Sequence, residues 1–190
     1  LEHMMFKGTP RRSALDVNLD FDRIGANYNA YTSEENTVYY AAVLPEYLPK
    51  AVDILADILR PSLRQDDFDT EKQVILEEIK MYEDAPGSMA WDNARRIHFA
   101  AHPLGNSILG TTASVTALSR DQMHGYFERR YAPGNILAVA AGNFEWDRLI
   151  DLVGGACGSW TPGEGGRPDS GETAGAGGVH AITKDGTAQQ

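Results

Sequence analysis

An α+β domain is what this sequence predicts, with an antiparallel or mixed sheet packed against helices, and three observations predict it. Two short β-type runs separated by a turn lie at 25–44. Helical runs with apolar stripes or clear caps follow between 45 and 131. One more strand-like run comes at 135–142, ahead of a last short helix. The 190 residues suit one domain, which at this length buries roughly 70% of its unfolded surface.

The elements follow in order. Leu1-Glu2-His3, read with Met4 to Thr9, look like the end of a helix. The run 11–22 is mixed and polar, with helical spacing at Leu15 and Leu19. Residues 25–32 form a strand, Ser33 to Asn36 a turn, and 37–44 a second strand, which together predict an antiparallel hairpin. The second strand is apolar on both alternating faces, which predicts cover on both sides. A helix spans 45–59, where Ala51, Ile54, Leu55, Ile58 and Leu59 make a buried stripe and Pro61 ends it. The next helix spans 66–84. Asp66 or Asp67 caps it, and Pro86-Gly87 stops it. A third covers 88–101 and closes at Pro103. Ser119-x-x-Gln122 is a capping box opening a helix to about Tyr131. Ile136, Leu137 and Val139 mark the strand at 135–142. The short helix at 145–153 carries Trp146, Leu149, Ile150 and Val153 on one side. Residues 154–178, rich in Gly, Pro, Ser and Thr, read as a flexible linker.

Composition narrows the function classes. The chain is 42% hydrophobic and 23% charged, as ordinary globular proteins are. A net charge of −10 argues against nucleic acid or an anionic membrane as partner and is compatible with basic peptides. Cys157 is the only cysteine, so there is no internal disulfide. No apolar run approaches the roughly 18 residues of a membrane span.

The chemistry-bearing stretch is Leu1-Glu2-His3. These are the last three positions of a His-x-x-Glu-His segment, which on a helix sets two histidines at i and i+4 on one face, with a glutamate that can take a proton from a zinc-bound water. The first histidine would sit two residues ahead of Leu1. Three residues match often by chance, so the tripeptide alone does not assign zinc chemistry. Downstream, three carboxylates compete on the helix 66–84. Glu78 has Val74, Ile75, Met81 and Tyr82 at its i±3 and i±4 neighbours and emerges from the apolar face, whereas Glu77 neighbours Gln73 and Lys80 and faces solvent. Glu71, seven residues before Glu78, lies almost in line with it. Two carboxylates on a buried stripe are costly unless paired or bound to a cation. The bland alternative has Glu71 favouring the first turn electrostatically and Glu78 pairing with an arginine elsewhere.

Other residues invite a role and are read as structural. His98 and His102 are four apart, but Pro103 ends the helix there. His124 lies mid-helix, Cys157 has no neighbouring base, and Tyr39, Tyr40 and Trp91 read as core. Gly154-Gly155 lacks the lysine and hydroxyl of a nucleotide site.

Leu1-Glu2-His3-Met4 with Phe6-Lys7-Gly8-Thr9 resembles the pitrilysin/insulinase family of metallopeptidases, in the branch that holds mitochondrial processing peptidase and its bacterial relatives. So do Asn29-Ala30-Tyr31-Thr32-Ser33 with Glu35, Thr37 and Tyr39-Tyr40, then His102-Pro103-Leu104-Gly105 with Ile108-Leu109-Gly110, and Tyr131-Ala132-Pro133 with Gly142-Asn143. The likeness covers about 1–153. Glu34 departs from it, standing where relatives often carry a basic residue.

The resemblance implies the rest as expectations. The third zinc ligand is a downstream glutamate with another glutamate seven positions before it, which selects Glu78 and Glu71; residues 4–77, 74 in all, separate His3 from Glu78. Zn2+ is held by the upstream histidine, His3 and Glu78, with water in the fourth place. Glu2 is the general base and Glu71 a support near the metal. An extended peptide substrate adds to the edge strand at Asn29, Ala30 and Tyr31. Residues 1–153 are the catalytic domain without its first strands, and 179–190 begin a second domain. The partners implied are the C-terminal domain of the same full-length chain and a homodimeric or heterodimeric mate. The bacterial cytoplasm, the mitochondrial matrix and the periplasm all accommodate such a protein. The chain by itself is expected to bind zinc poorly and cleave little. The competing expectations are a non-catalytic subunit that keeps the fold as a scaffold, and a metal-independent peptide-binding module.

Overall fold

A computed structural model describes residues 1–163, 171, 178–181 and 183. These fall into two compact units, one of Leu1–Thr32, Thr37–Phe68 and 119–163, the other of Ser33–Asn36, Asp69–Leu118 and the remaining described residues. The architecture is α+β, as the sequence predicts. Seven α-helices and a two-stranded antiparallel sheet are described.

The first unit opens with a 3-10 helix, His3–Phe6, rather than an α-helical end. Met4 and Met5 are buried. The chain then turns at Gly8, whose φ of +110° belongs to glycine, and where an added Cβ would lie 2.9 Å from the Arg12 carbonyl oxygen. Helix α1 (Ala14–Arg23) starts at a Ser13–Asp16 capping box. Its buried face is Val17 and Phe21, while Leu15 and Leu19, which carry the sequence periodicity, are exposed. Gly25, with a φ of +60°, ends the helix region in the left-handed conformation. Strand β1 therefore begins only at Asn27 and runs Asn27–Thr32.

Strand β2 (Thr37–Ala42) pairs with β1 from Asn27↔Ala42 to Thr32↔Thr37. The expected cover on both faces is not seen, because Tyr40 and Ala42 are exposed while Tyr39 and Ala41 pack on the core. Helix α2 (Leu48–Ile58), preceded by a 3-10 turn at Pro45–Tyr47, contributes Ala51, Ile54 and Ile58 to that core beside Val17, Phe21 and Ile24. Each such aliphatic or aromatic side chain, buried in full, stabilises the fold by about 1.5–3 kcal/mol. A second cluster gathers Met4, Leu63, Phe68 and Met123, with Leu1 packed against it.

Helix α3 (Gln65–Glu83) has Asp66 and Asp67 inside its first turn rather than at a cap. In the second unit, α4 (Pro86–Phe99) starts at the proline that ends the preceding run, and α5 (Thr112–Ala117), which the sequence reading omits, has its own Thr111–Ser114 capping box. Trp91, expected in the core, is 67% exposed on α4. Back in the first unit, α6 (Arg120–Arg130) opens at the Ser119–Gln122 capping box.

The strand expected at 135–142 is not one. Pro133–Asn135 is a 3-10 turn, and 136–141 has no regular secondary structure and no pairing partner among the described residues. Leu137 and Val139 are 86% and 81% exposed. An apolar, β-prone run becomes a strand only when a neighbour takes its backbone hydrogen bonds. Helix α7 (Trp146–Cys157) packs on α2 and continues through Gly154 and Gly155, where the linker reading begins. Trp146 and Ile150 of its expected inner side are exposed. Most of the linker and of the 179–190 reading lies outside the described residues.

Candidate active site

The opening segment is held from below and tied from the side. Leu1, Met4 and Met5 pack inward, which leaves Glu2 and His3 half-exposed on the same short stretch. The Glu2 carboxylate is not loose. Thr32, the last residue of β1, donates its hydroxyl to Glu2 Oε2 at 2.5 Å. Across the hairpin, Thr37 stands opposite Thr32 in register, with 3.4 Å between their hydroxyl oxygens. Deeper in, the hydroxyls of Tyr39 and Tyr131 hydrogen-bond at 3.0 Å. Burial, followed by the nearby Tyr131 and Glu2, pushes the Tyr39 hydroxyl far above the ordinary phenol range. Burial raises Tyr131 as well, against its hydrogen bonds to Tyr39 and Thr37.

Immediately after this segment, an ionic cluster fixes the chain. Thr9 Oγ1 donates to Asp57 Oδ2 at 2.8 Å and accepts the amides of Arg11 and Arg12. Arg12 bonds Asp57 at 2.6 Å, Asp53 at 2.5 Å and Asp20 at 3.0 Å. Burial works against the Arg12 charge, but the three carboxylates outweigh it and hold its pKa up. In return, the bond from Arg12 draws Asp20 below the usual carboxylate range. Asp53 also ends low, because Arg11 and Arg12 overcome its burial.

The residues expected to take an extended peptide fall in a strand. Asn29, Ala30 and Tyr31 lie in β1, and Asn29 and Tyr31 are exposed. Asn29 Oδ1 accepts the amide of Ala30 at 2.8 Å. The β1–β2 sheet has two strands, so among the described residues the outer edge of β1 has no neighbour.

Glu71 and Glu78 lie on α3, in the second unit, whereas Glu2 and His3 belong to the first. Glu71 is buried at 7% exposure, Glu78 is half-buried and Glu77 is exposed, with Lys80 on it at 2.7 Å. The order of burial is the one helix geometry predicts, although Val74, Met81 and Tyr82 are more exposed than an apolar face would have them. Among the described residues, no group of three or more His, Cys, Asp or Glu is placed to hold a metal. One imidazole and a carboxylate are nonetheless the donor types that zinc takes, with one more nitrogen ligand to complete a catalytic set.

Several side chains have structural partners instead. His102 Nδ1 accepts the amide of Leu104 at 3.2 Å and caps the 3-10 turn Pro103–Gly105. Arg60 stacks over the Trp160 ring at 3.5 Å. Burial raises the thiol of Cys157, against the neighbouring Arg60 charge. Glu34, the departure noted in the turn, pairs with Arg95 at 2.8 Å. Thr32, Thr37 and Tyr131 are the site residues that the sequence reading quoted without a role. The signal was the Asn-Ala-Tyr-Thr run beside a strand carrying Thr37 and Tyr39, but a contact 92 positions apart leaves no mark in the sequence.

Comparison with known proteins shows the family. The model of the insulinase family, Peptidase family M16, matches residues 1–112. An uncharacterized zinc protease of Streptomyces coelicolor is 41% identical over 154 residues, covering 80% of this chain and 34% of that protein. Mitochondrial-processing peptidase subunit beta of Homo sapiens is 40% identical over 154 residues, covering 80% and 32%. The crystal structure of an M16-like peptidase from Alicyclobacillus acidocaldarius superposes with a TM-score of 0.76 at 31% identity, over 85% of this chain and 37% of that one. The chain belongs to the insulinase (M16) family of peptidases. It spans about a third of the length of the curated relatives it matches. Among its described residues, no helix is long and apolar enough to cross a membrane.

Proposed function

We propose that this chain carries the proton-transfer and metal-holding residues of a zinc metalloendopeptidase and works as part of a longer protein. His3, Glu78 and a histidine two positions ahead of Leu1 would hold the zinc, with Glu71 supporting them through charge and orientation. Bound there, zinc supplies Lewis-acid activation of a water. The observation that carries the reading is the bond from Thr32 to Glu2. It stands the carboxylate at the end of β1, the strand whose residues Asn29 to Tyr31 offer an extended peptide an edge that is unpaired among the described residues. Thr32 occupies Oε2, so Oε1 is the oxygen that takes the proton of the attacking water and later gives it to the leaving amine. The C-terminal part of the full-length chain and a related subunit complete the enclosure around the peptide.

The test is Glu2→Gln in the full-length protein. Peptide hydrolysis falls by about 10²–10⁴-fold, the usual contribution of a positioned general base, while zinc content measured by elemental analysis stays at the parental level. A Glu2→Gln protein that cleaves at the parental rate rules the reading out. A full-length parent that neither binds zinc nor cleaves peptide points to the scaffold subunit instead.

A further inference from the structure

We infer that Thr32 is a positioning residue for the Glu2 carboxylate. The inference rests on the reading of Glu2 as the base. It begins with counting hydrogens. A hydroxyl has one proton to donate, and an ionised carboxylate has none. Thr32 commits its single proton to Glu2 Oε2, with the Thr37 hydroxyl oxygen 3.4 Å from its own.

The anchors of this contact are built into the fold. Thr32 and Thr37 are the last register pair of the hairpin. Tyr39, on the same strand as Thr37, lies against the Phe6 ring, whose residue ends the same 3-10 turn that follows Glu2. The strand end and the opening turn thus meet at one carboxylate oxygen. A half-exposed glutamate has three rotatable side-chain bonds, and the Thr32 bond removes the freedom to turn Oε1 away from the water it must meet. A small misplacement of a reacting group is enough to slow a reaction by orders of magnitude.

The experiment compares three variants of the full-length zinc-loaded protein, with an internally quenched, arginine-bearing peptide as substrate. Thr32→Val keeps a β-branched side chain at an exposed strand end, so the hairpin folds. It lowers kcat by about 10–100-fold, the range for lost partners of active-site ligands, and leaves KM and zinc content unchanged. Thr32→Ser keeps the hydroxyl and restores most of kcat. An unchanged kcat in Thr32→Val, a loss confined to KM, or a failure of Thr32→Ser to restore the rate overturns the inference. Glu2→Gln in the same assay separates the two readings. If it is inactive while Thr32→Val is normal, only the positioning role falls; if it is fully active, the general base itself is misassigned.

Discussion

Arg12 and Arg95 are both buried, in different units, and their guanidinium groups are spent in opposite ways. Arg12 gives its three donor directions to three carboxylates, one from α1 and two from α2. Arg95 gives one direction to Glu34 and uses another for the backbone carbonyls of Leu104 (3.0 Å) and Asn106 (2.9 Å). The same planar fork serves as a charge clasp in one place and as a replacement for absent secondary structure in the other. The clasp lies directly behind the segment that carries Glu2 and His3. The lesson is that the opening segment is held by electrostatics that depend on every partner being charged, whereas Arg95 holds the 103–106 turn through backbone carbonyls, which do not titrate.

The largest break in that comparison is Arg12→Met. It strands Asp57, whose side chain is 5% exposed, and costs about 3–5 kcal/mol, as removing one partner of a buried ionic cluster does. Urea denaturation reads it as a lowered midpoint. Arg95→Met is milder, about 1–3 kcal/mol for carbonyls left without donors. Its effect is local, so amide exchange quickens at Gly105 and Asn106 with little change at Thr9. The smallest effect is graded and sharpens the contrast. Asp20 and Asp53 have depressed pKa values in the folded state. Their stabilising contribution is complete above the unfolded carboxylate value of about 4 and is lost as pH falls through their folded values. Amide exchange, corrected for its intrinsic pH dependence, should therefore show the Thr9 amide, bonded to the Arg12 carbonyl, losing protection in acid.

Elements whose signals are local were legible in the sequence. The hairpin around Ser33 to Asn36, the Ser119–Gln122 cap and the Ala51, Ile54, Ile58 stripe are each written within a few residues. The inner face of α1 was not, because Leu15/Leu19 and Val17/Phe21 share the same helical spacing, and only the docked core decides which pair turns inward. The run at 136–141 failed for a related reason, since strandness is a property of two segments and the text of one cannot show it. Glu2 and His3 could be picked out by motif, and the burial order of Glu71, Glu78 and Glu77 followed from helix geometry. The tie from Glu2 to Thr32, 30 positions away, and the Arg12 clasp, which reaches 41 to 45 positions to Asp53 and Asp57, could not.

Met5, with no exposed surface at all, sits three residues from Glu2 on one short turn. On the reading of Glu2 as the general base, packing and turnover are mechanically geared in this stretch. A cavity opened or overfilled beneath the thioether would then tilt the turn and reach the proton-accepting oxygen before it melted the domain. Variants selected there for hardiness alone would drift in rate as well, and a kinetic assay would register the repacking sooner than a melting curve.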